Sequence, residues 1–418
     1  MHLQPFRPIS VSRGAATATA SDPRKTMKLI PRFFPARLPR PNAALLLTGL
    51  ALALPRSGRA EEALSYKYED YRESGGRIAV QTQSAHLEKD IGTDAKVKID
   101  GVIDAIAGAT PNGQPAPAGS DQVVLAPMTE RRKAWNAEFS RQFSRVNIAV
   151  GGASSRESDY VSTGWSFNTV TDFNQKNTTL LAGLAGTDDR VKVAFQAPYA
   201  KKRGNDVIVG LTQLLDPLTS VTFNLSWGRS TGYLADPYKL VEKSIEVVPT
   251  VFLRQTFAEN RPDERDKWIA LGTVNRSFAE VHGAAEASYR FYHDSFGTEA
   301  HTLDLTWFQR IGAHFILQPG LRLYDQTAAD FYYYRLDATS IIPTFGRPRP
   351  QGPFYSSDYR LSALRSVNYS LKAIWTVTDR LQLDASVENY RMRGRDGVTP
   401  QSAYARATIV TGGLKLSW

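Results

Sequence analysis

Side chains change character at every second residue over stretches longer than a soluble strand needs, and this constrains the fold more than any other feature. Within residues 94–105 the odd positions are Ala95, Val97, Ile99, Gly101, Ile103 and Ala105, while the even ones are Asp94, Lys96, Lys98, Asp100, Val102 and Asp104. Over residues 278–294 one face carries Ala279, Val281, Ala285, Ala287, Tyr289 and Phe291, and the other Glu280, His282, Glu286, Ser288, Arg290 and Asp294. Leu303, Leu305, Trp307, Ile311, Phe315 and Leu317 oppose Thr302, Asp304, Thr306, Arg310, His314 and Gln318, with Phe308 and Ile316 out of pattern. Leu381, Leu383, Ala385 and Val387 oppose Gln382, Asp384, Ser386 and Glu388. A period of two is the signature of a strand, because successive Cβ atoms leave opposite faces.

Strand length separates the two architectures that alternate in this way. A soluble sandwich uses strands of about five or six residues, whereas a strand crossing a bilayer needs about nine to eleven. Several of the segments above reach twelve or more, which favours the membrane over a periplasmic sandwich or solenoid. No apolar run after residue 60 approaches the roughly 18 residues of a spanning helix. The expectation is an all-β fold, a transmembrane antiparallel β-barrel with its apolar face on lipid and its polar face lining the lumen. A strand-plus-turn unit of about 22 residues gives about 16 strands, within a range of about 12 to 18, and an even number is preferred.

Charge is distributed unevenly along the chain. Of 51 Lys/Arg and 41 Asp/Glu, ten basic residues and only Asp22 fall within residues 1–60, so the remainder is nearly neutral. The formal net charge of +10 therefore belongs to the leader, and the folded part has no basic excess with which to bind nucleic acid. From Met27 a basic stretch (Lys28, Arg32, Arg37, Arg40) precedes an apolar run at 43–54 and small residues up to Ala60. This order is that of a secretory signal over 27–60, cleaved after Ala60. The apolar run spans only about 18 Å, too short for a membrane anchor. Residues 1–26 read as an over-long start, and 61–418 as one outer-membrane barrel domain. There is no cysteine, which excludes a disulfide framework and a thiol nucleophile and suits an oxidising compartment.

The last segment places Val410, Gly412, Leu414, Leu416 and Trp418 on one face. A closing strand that ends in an aromatic residue resembles the signal by which outer-membrane barrels are recognised for assembly, with Trp in place of the usual Phe. Short turns are expected at Asn205-Asp206, Asp216-Pro217 and Thr378-Asp379, and long loops at 111–127, 228–239, 259–266 and 343–353, where Pro, Gly and charges concentrate. Short turns then mark the periplasmic end and long loops the external end. Tyr66, Tyr68 and Tyr71, and the run Tyr332-Tyr333-Tyr334, are expected in interfacial belts.

Several segments, in order, resemble an uncharacterised family of Gram-negative outer-membrane barrels defined as a domain of unknown function. They are Asp100-Gly-Val-Ile-Asp-Ala-Ile-Ala-Gly-Ala-Thr-Pro111, Ser155-Arg-Glu-Ser-Asp-Tyr160, Asp172-Phe-Asn-Gln-Lys-Asn-Thr-Thr179, Gly232-Tyr-Leu-Ala-Asp-Pro-Tyr-Lys239, Ser288-Tyr-Arg-Phe-Tyr-His-Asp294 and Tyr324-Asp-Gln-Thr-Ala-Ala-Asp-Phe-Tyr332. The resemblance covers 62–418 and implies a fold and a location, with no activity attached.

Catalysis is not expected. His293 and Asp294 are neighbours on a strand and point to opposite faces, and His301 near Asp304 is the other local candidate. Asp94, Asp100 and Asp104 share a face, but neighbours in that set lie about 13 to 20 Å apart along a strand, too far for one ion. They read as solvated lumen charges paired with Lys96 and Lys98, and no cofactor is implied. The lumen-lining candidates are Glu280, Glu286, Arg290, Asp304, Arg310, Asp384 and Glu388. Two functions fit: a channel or porin-like passage for small solutes or ions, and a closed barrel whose loops bind an envelope partner. Expected partners are outer-membrane lipid, the barrel-assembly machinery and a small solute.

Overall fold

The computed structural model describes residues 62–193, 196–343 and 349–418, so the signal segment expected at 27–60 and the residues before it lie outside the described residues. Eighteen strands are found among them. They are β1 (Ala63–Glu73), β2 (Ala79–Ile91), β3 (Ala95–Pro111), β4 (Leu125–Phe143), β5 (Val146–Arg156) and β6 (Tyr160–Phe173), followed by β7 (Thr178–Val193), β8 (Gln196–Asp216), β9 (Thr219–Gly232), β10 (Leu240–Val248), β11 (Val251–Ala258) and β12 (Glu264–Phe278). The last six are β13 (Gly283–Asp294), β14 (Glu299–Ile311), β15 (Phe315–Gln326), β16 (Leu364–Thr378), β17 (Leu381–Gly394) and β18 (Arg406–Ser417). Sixteen of them close into a barrel, β12 pairing directly with β9 and β1 with β18, while β10 and β11 form a separate hairpin. Every pairing is antiparallel, and closure leaves no sheet edge. No helix among the described residues is long and apolar enough to cross a membrane.

The outer face carries the apolar half of the alternation. Trp268 is 49% exposed and Tyr369 58%, values that water would not tolerate repeated around a whole surface. Trp135, Trp165, Trp268, Tyr289 and Tyr369 form one aromatic ring, and Phe143, Phe173, Phe278, Phe315 and Trp375 another nearer the short turns. On β12, Trp268 and Phe278 are separated by about 34 Å along the strand, or about 26 Å of height at a tilt of about 40°, the thickness of the apolar band of a membrane barrel. Val274, Leu305, Leu371, Val387 and Val410 fill the band between them. The chain is a transmembrane β-barrel.

Connections differ sharply between the two ends. At one end β4–β5, β8–β9 and β16–β17 are joined by residues 144–145, 217–218 and 379–380. The other end carries residues 112–124, 233–263 with the β10–β11 hairpin, 327–343, 349–363 and 395–405. The turns expected at Asp216-Pro217 and Thr378-Asp379 are present. The one expected at Asn205-Asp206 is not, because both residues lie inside β8 and pair on either side with β7 and β9. Local turn chemistry yields there to two ladders of backbone hydrogen bonds. Conversely, the alternation at 278–294 and at 302–318 is each broken by a tight turn, at 279–282 with His282 left-handed and at 312–314. The opposite parities of Trp135–Phe139 and Val146–Val150 likewise arise at the two-residue turn 144–145 and not at a bulge.

Candidate functional site

Cross-strand partners share a face, so the pairing register assigns every inward side chain from the outward aromatics. On β1 to β4 and on β16 and β17 the inward positions are heavily charged. Asp104 accepts from Arg132 Nε at 2.6 Å and from Thr82 Oγ1 at 2.7 Å. Asp100 lies 2.7 Å from His86 Nδ1 and accepts from Asn136 at 3.1 Å. Lys96 pairs with Glu88, and Lys98 stands 3.7 Å from Glu138. The aspartates thus do not pair with Lys96 and Lys98, as the sequence suggested, because those lysines reach the carboxylates on neighbouring strands. Lys372 and Asp384 are 3.3 Å apart, and Glu388 accepts from Asn368 at 2.7 Å.

The wall from β5 to β9 is different. Its inward positions include Ala149, Gly151, Ala153, Gly164, Gly183, Gly204, Gly210 and Gly228. A Cβ on Gly183 would meet Asn168 Oδ1 at 2.4 Å, and one on Gly210 would meet Asn224 Oδ1 at 2.2 Å. The polar side chains of this wall lie flat across glycine. The lumen therefore has one side bristling with long charged side chains and one shallow, mostly neutral side.

Of the seven lumen candidates, Glu286, Arg290, Asp304, Asp384 and Glu388 occupy inward register positions. Asp304 is 3.1 Å from Arg322 Nε, and the Arg290 guanidinium sits 5.6 Å from the Tyr292 ring centre. Arg310 is inward by register but lies one residue from the end of β14, at the short-turn rim. Glu280 is not on a strand at all; it sits in the turn between β12 and β13. Among the assembly-signal residues, Val410, Leu414 and Leu416 share the outward face of β18, and Trp418, just beyond the strand, donates to Glu62 from its backbone at 3.1 Å.

The histidine candidates do not assemble a site. Asp294 points inward and is 1% exposed against Arg265, whereas His293 faces outward, 3.6 Å from Glu299. His301 is also outward, 2.6 Å from the Tyr289 hydroxyl, on the opposite face of β14 from Asp304. Among the described residues no group of three His, Asp or Glu is placed to hold a metal ion.

Above the charged lumen the long loops meet. Residues 233–239 leave β9 and reach the far side, where Leu240 N donates to Asn112 O at 2.8 Å and Lys239 Nζ donates to the Pro111 carbonyl. Five barrel strands separate β9 from β3 around the wall, so this strap runs as a chord across the mouth. Tyr238 donates its hydroxyl to Asp159 in the β5–β6 connection. Residues 327–343 and 349–363 fold over the strap: Ser357 Oγ donates to Gly113 O at 3.0 Å and to Leu240 O at 2.7 Å, and Asn260 and Tyr355 exchange backbone hydrogen bonds of 2.9 and 2.8 Å. Apolar packing of Val241, Leu336 and Tyr355, and of Phe296, Ala329, Phe331 and Leu361, gives this cap a small core of its own.

At its centre is a buried ionic cluster. Arg261 bridges Glu259 at 2.7 Å and Asp358 at 2.9 Å, and Arg360 bridges Asp358 and Asp236, each at 2.5 Å. Burial pushes the Glu259 carboxyl up, against the pull of Arg261. Burial acts on Asp358 too, but Arg360, Lys239 and Arg261 outweigh it and hold that carboxyl well below the usual range. Burial lowers the Lys239 ammonium, with Asp358 and Asp236 opposing. Beside the strap, burial pushes Glu157 up to about 7, Asp159, Glu130 and Asp104 adding to the effect and Arg132 opposing it.

A family model described as "Protein of unknown function (DUF3570)" matches residues 42–203 and 196–415. The chain belongs to this family. No characterised relative matches it by sequence. Among solved structures it is similar to a bacterial polysaccharide outer membrane secretin, at 8% identity and a TM-score of 0.46, covering 87% of this chain and 100% of that one. It is also similar to CdiB from Acinetobacter baumannii, at 7% identity and a TM-score of 0.48, covering 87% of this chain and 61% of that one. A third is OprB of Pseudomonas putida, at 8% identity and a TM-score of 0.42, covering 85% and 92%. The strand pairing, and not these distant likenesses, establishes the barrel.

Sequence reasoning missed the cap of this family member almost entirely. Tyr332, Tyr333 and Tyr334 are not interfacial: the first two pack on the Phe296 cluster, and Tyr334 accepts from Ala116 N at 3.0 Å. Tyr71 turns inward and donates to Glu73 at 2.9 Å, whereas Tyr66 and Tyr68 share the outward face. A signal was available in residues 327–363, where Asp330, Asp337 and Asp358, four arginines and five tyrosines concentrate in one loop.

Proposed function

We propose that the barrel is an outer-membrane channel passing small polar solutes or ions, its external mouth closed down by the strap and the cap. The observation that carries this reading is a closed wall of sixteen strands with a polar inward face, a strand number at which barrels enclose water. The long-loop end is then external and the short turns periplasmic. Positive and negative groups alternate along the charged wall, so ion selectivity is weak. The transverse field between the charged and neutral walls orients dipolar solutes as they pass.

Single-channel recording in planar bilayers tests the proposal. Discrete openings are expected for the native barrel, with larger or more frequent steps in Tyr238→Phe combined with Lys239→Met, which frees the strap from Asp159 and Pro111. A second reading, a non-conducting barrel that displays its loops to an envelope partner, is favoured by the buried ionic cluster that locks the cap. That reading prevails if folded, heat-modifiable protein is electrically silent and stays silent in the strap variant.

A further inference from the structure

The outward face of the barrel bears arginines opposed to arginines. In the register of β16 and β17, Arg365 lies directly opposite Arg393, and in that of β17 and β18, Arg391 lies directly opposite Arg406. All four are exposed. Like charges placed this way, with Cβ atoms about 5 Å apart, repel each other. No carboxylate among the described residues forms an ion pair with any of them: the nearby Asp325, opposite Arg365, is taken by Arg395, and Asp70 by Arg72. Elsewhere around the same level Arg203 is paired with Asp188 at 2.8 Å and Arg229 with Glu264 at 2.5 Å, while Lys133 opposite Arg156 and Arg190 opposite Lys201 set a lysine against an arginine. Among the described residues only β16 to β18 oppose arginine to arginine, and do so on two adjacent ladders.

Their height on the barrel is specific. One outward step below Arg391 comes Asn389, opposite Tyr369 of the upper aromatic ring, and then Val387 and Leu371; below Arg406 come Thr408 and Val410. The arginines therefore sit just above the apolar band, on the long-loop side, at the depth of lipid headgroups. A ligand that neutralises them while lying on the surface beneath needs anionic groups above and acyl chains below. Four guanidinium forks match phosphate oxygens in bidentate fashion, where lysines would act only as point charges.

We propose that this face of β16 to β18 is a binding site for a phosphorylated membrane lipid, its phosphates held between Arg365, Arg391, Arg393 and Arg406 and its acyl chains against Tyr369, Leu371, Val387 and Val410. The site stands apart from the lumen, and its occupancy does not depend on whether the barrel conducts.

The test uses the processed barrel in neutral detergent, with bound lipid counted by native mass spectrometry. The probes are an acylated, bisphosphorylated glucosamine disaccharide, the same lipid without phosphates, and inorganic phosphate as competitor. The phosphorylated lipid should be retained, its dephosphorylated form about tenfold less well, and the variant R365Q/R391Q/R393Q/R406Q should lose retention by about the same factor. R203Q should retain the lipid as the native barrel does. Heat-modifiable mobility reports folding, and if the quadruple variant does not fold, R391Q/R406Q takes its place. Equal retention of the two lipids, undiminished retention in the arginine variants, or displacement by inorganic phosphate at matching concentration would each overturn the assignment.

Discussion

At the scale of the residue, the cap depends on groups that have no room to change. Gly113 has φ of +92°, and a Cβ there would come within 2.4 Å of Ser357 Oγ and 2.5 Å of Leu240 O. Gly113→Ala should therefore break the seam between the β3–β4 loop and residues 327–363, with a left-handed backbone cost of about 1–2 kcal/mol before the clash is counted. Faster limited proteolysis of the 112–124 loop is the measurement. Arg261 is the stricter case, since the Glu259 side chain is 1% exposed and pairs with it, whereas Asp358 also has Arg360. Replacing it by Met leaves the buried Glu259 carboxylate without its cation, a loss of about 3–5 kcal/mol. Hydrogen exchange at the Asn260 and Tyr355 amides should rise accordingly, while the barrel strands stay protected.

The strap 233–239 is the element whose behaviour depends on pH. Glu157, in the β5–β6 connection whose Asp159 receives the strap's Tyr238 hydroxyl, is raised by burial from 4.5 to about 7, so that connection binds a proton when closed and releases it when opened. Stability from this group is complete below about pH 4.5 and is lost as pH rises through 7. The charged groups facing it are Asp159, Glu130 and Asp104, which repel its ionised form, and Arg132, which favours it. The strap should be protected from protease near pH 5 and open more readily near pH 8, and Glu157→Gln should flatten the profile. A profile unchanged by that substitution would assign the pH response elsewhere. Strands behave otherwise: β8 keeps Asn205 and Asp206 extended because two neighbours hold them, and no single loop contact governs it.

For the whole molecule, the partition between a rigid wall and a separately cored cap makes the two separable in experiment. Cutting the strap should alter conductance without altering heat-modifiability, because the strap touches the barrel ladders only at their rim, where Lys239 reaches Pro111, the last residue of β3. Conversely, Trp268→Asp, which sets a charge on the lipid face near the upper aromatic ring, should impair folding into bilayers by about 1 kcal/mol or less at that depth, and the same change at Leu371, nearer the middle of the band, by more. Folding yield into vesicles at graded urea compares them. Equal losses at the two positions would mean that the band does not face hydrocarbon.

Much of this was legible in the sequence. Period-two alternation at Val97–Ala105 and Leu381–Val387 fixed which face is apolar, and the length of those runs placed it on lipid, because a pattern of period two is a local property of the backbone. The same locality put Glu286, Arg290, Asp304, Asp384 and Glu388 on the face opposite the aromatics, while chain length set the expected strand number. The positions of Glu280 and of Asn205-Asp206 were not fixed locally, since a tight turn can hide inside an alternating run and strand pairing can override turn-forming residues. Nothing in the chain's linear order says that Tyr238 reaches Asp159, that Arg360 reaches Asp236, or that Arg391 stands opposite Arg406. Those contacts exist only once the sheet has closed, because closure brings loops distant in sequence over a single mouth and sets the register that aligns one strand's charges with the next.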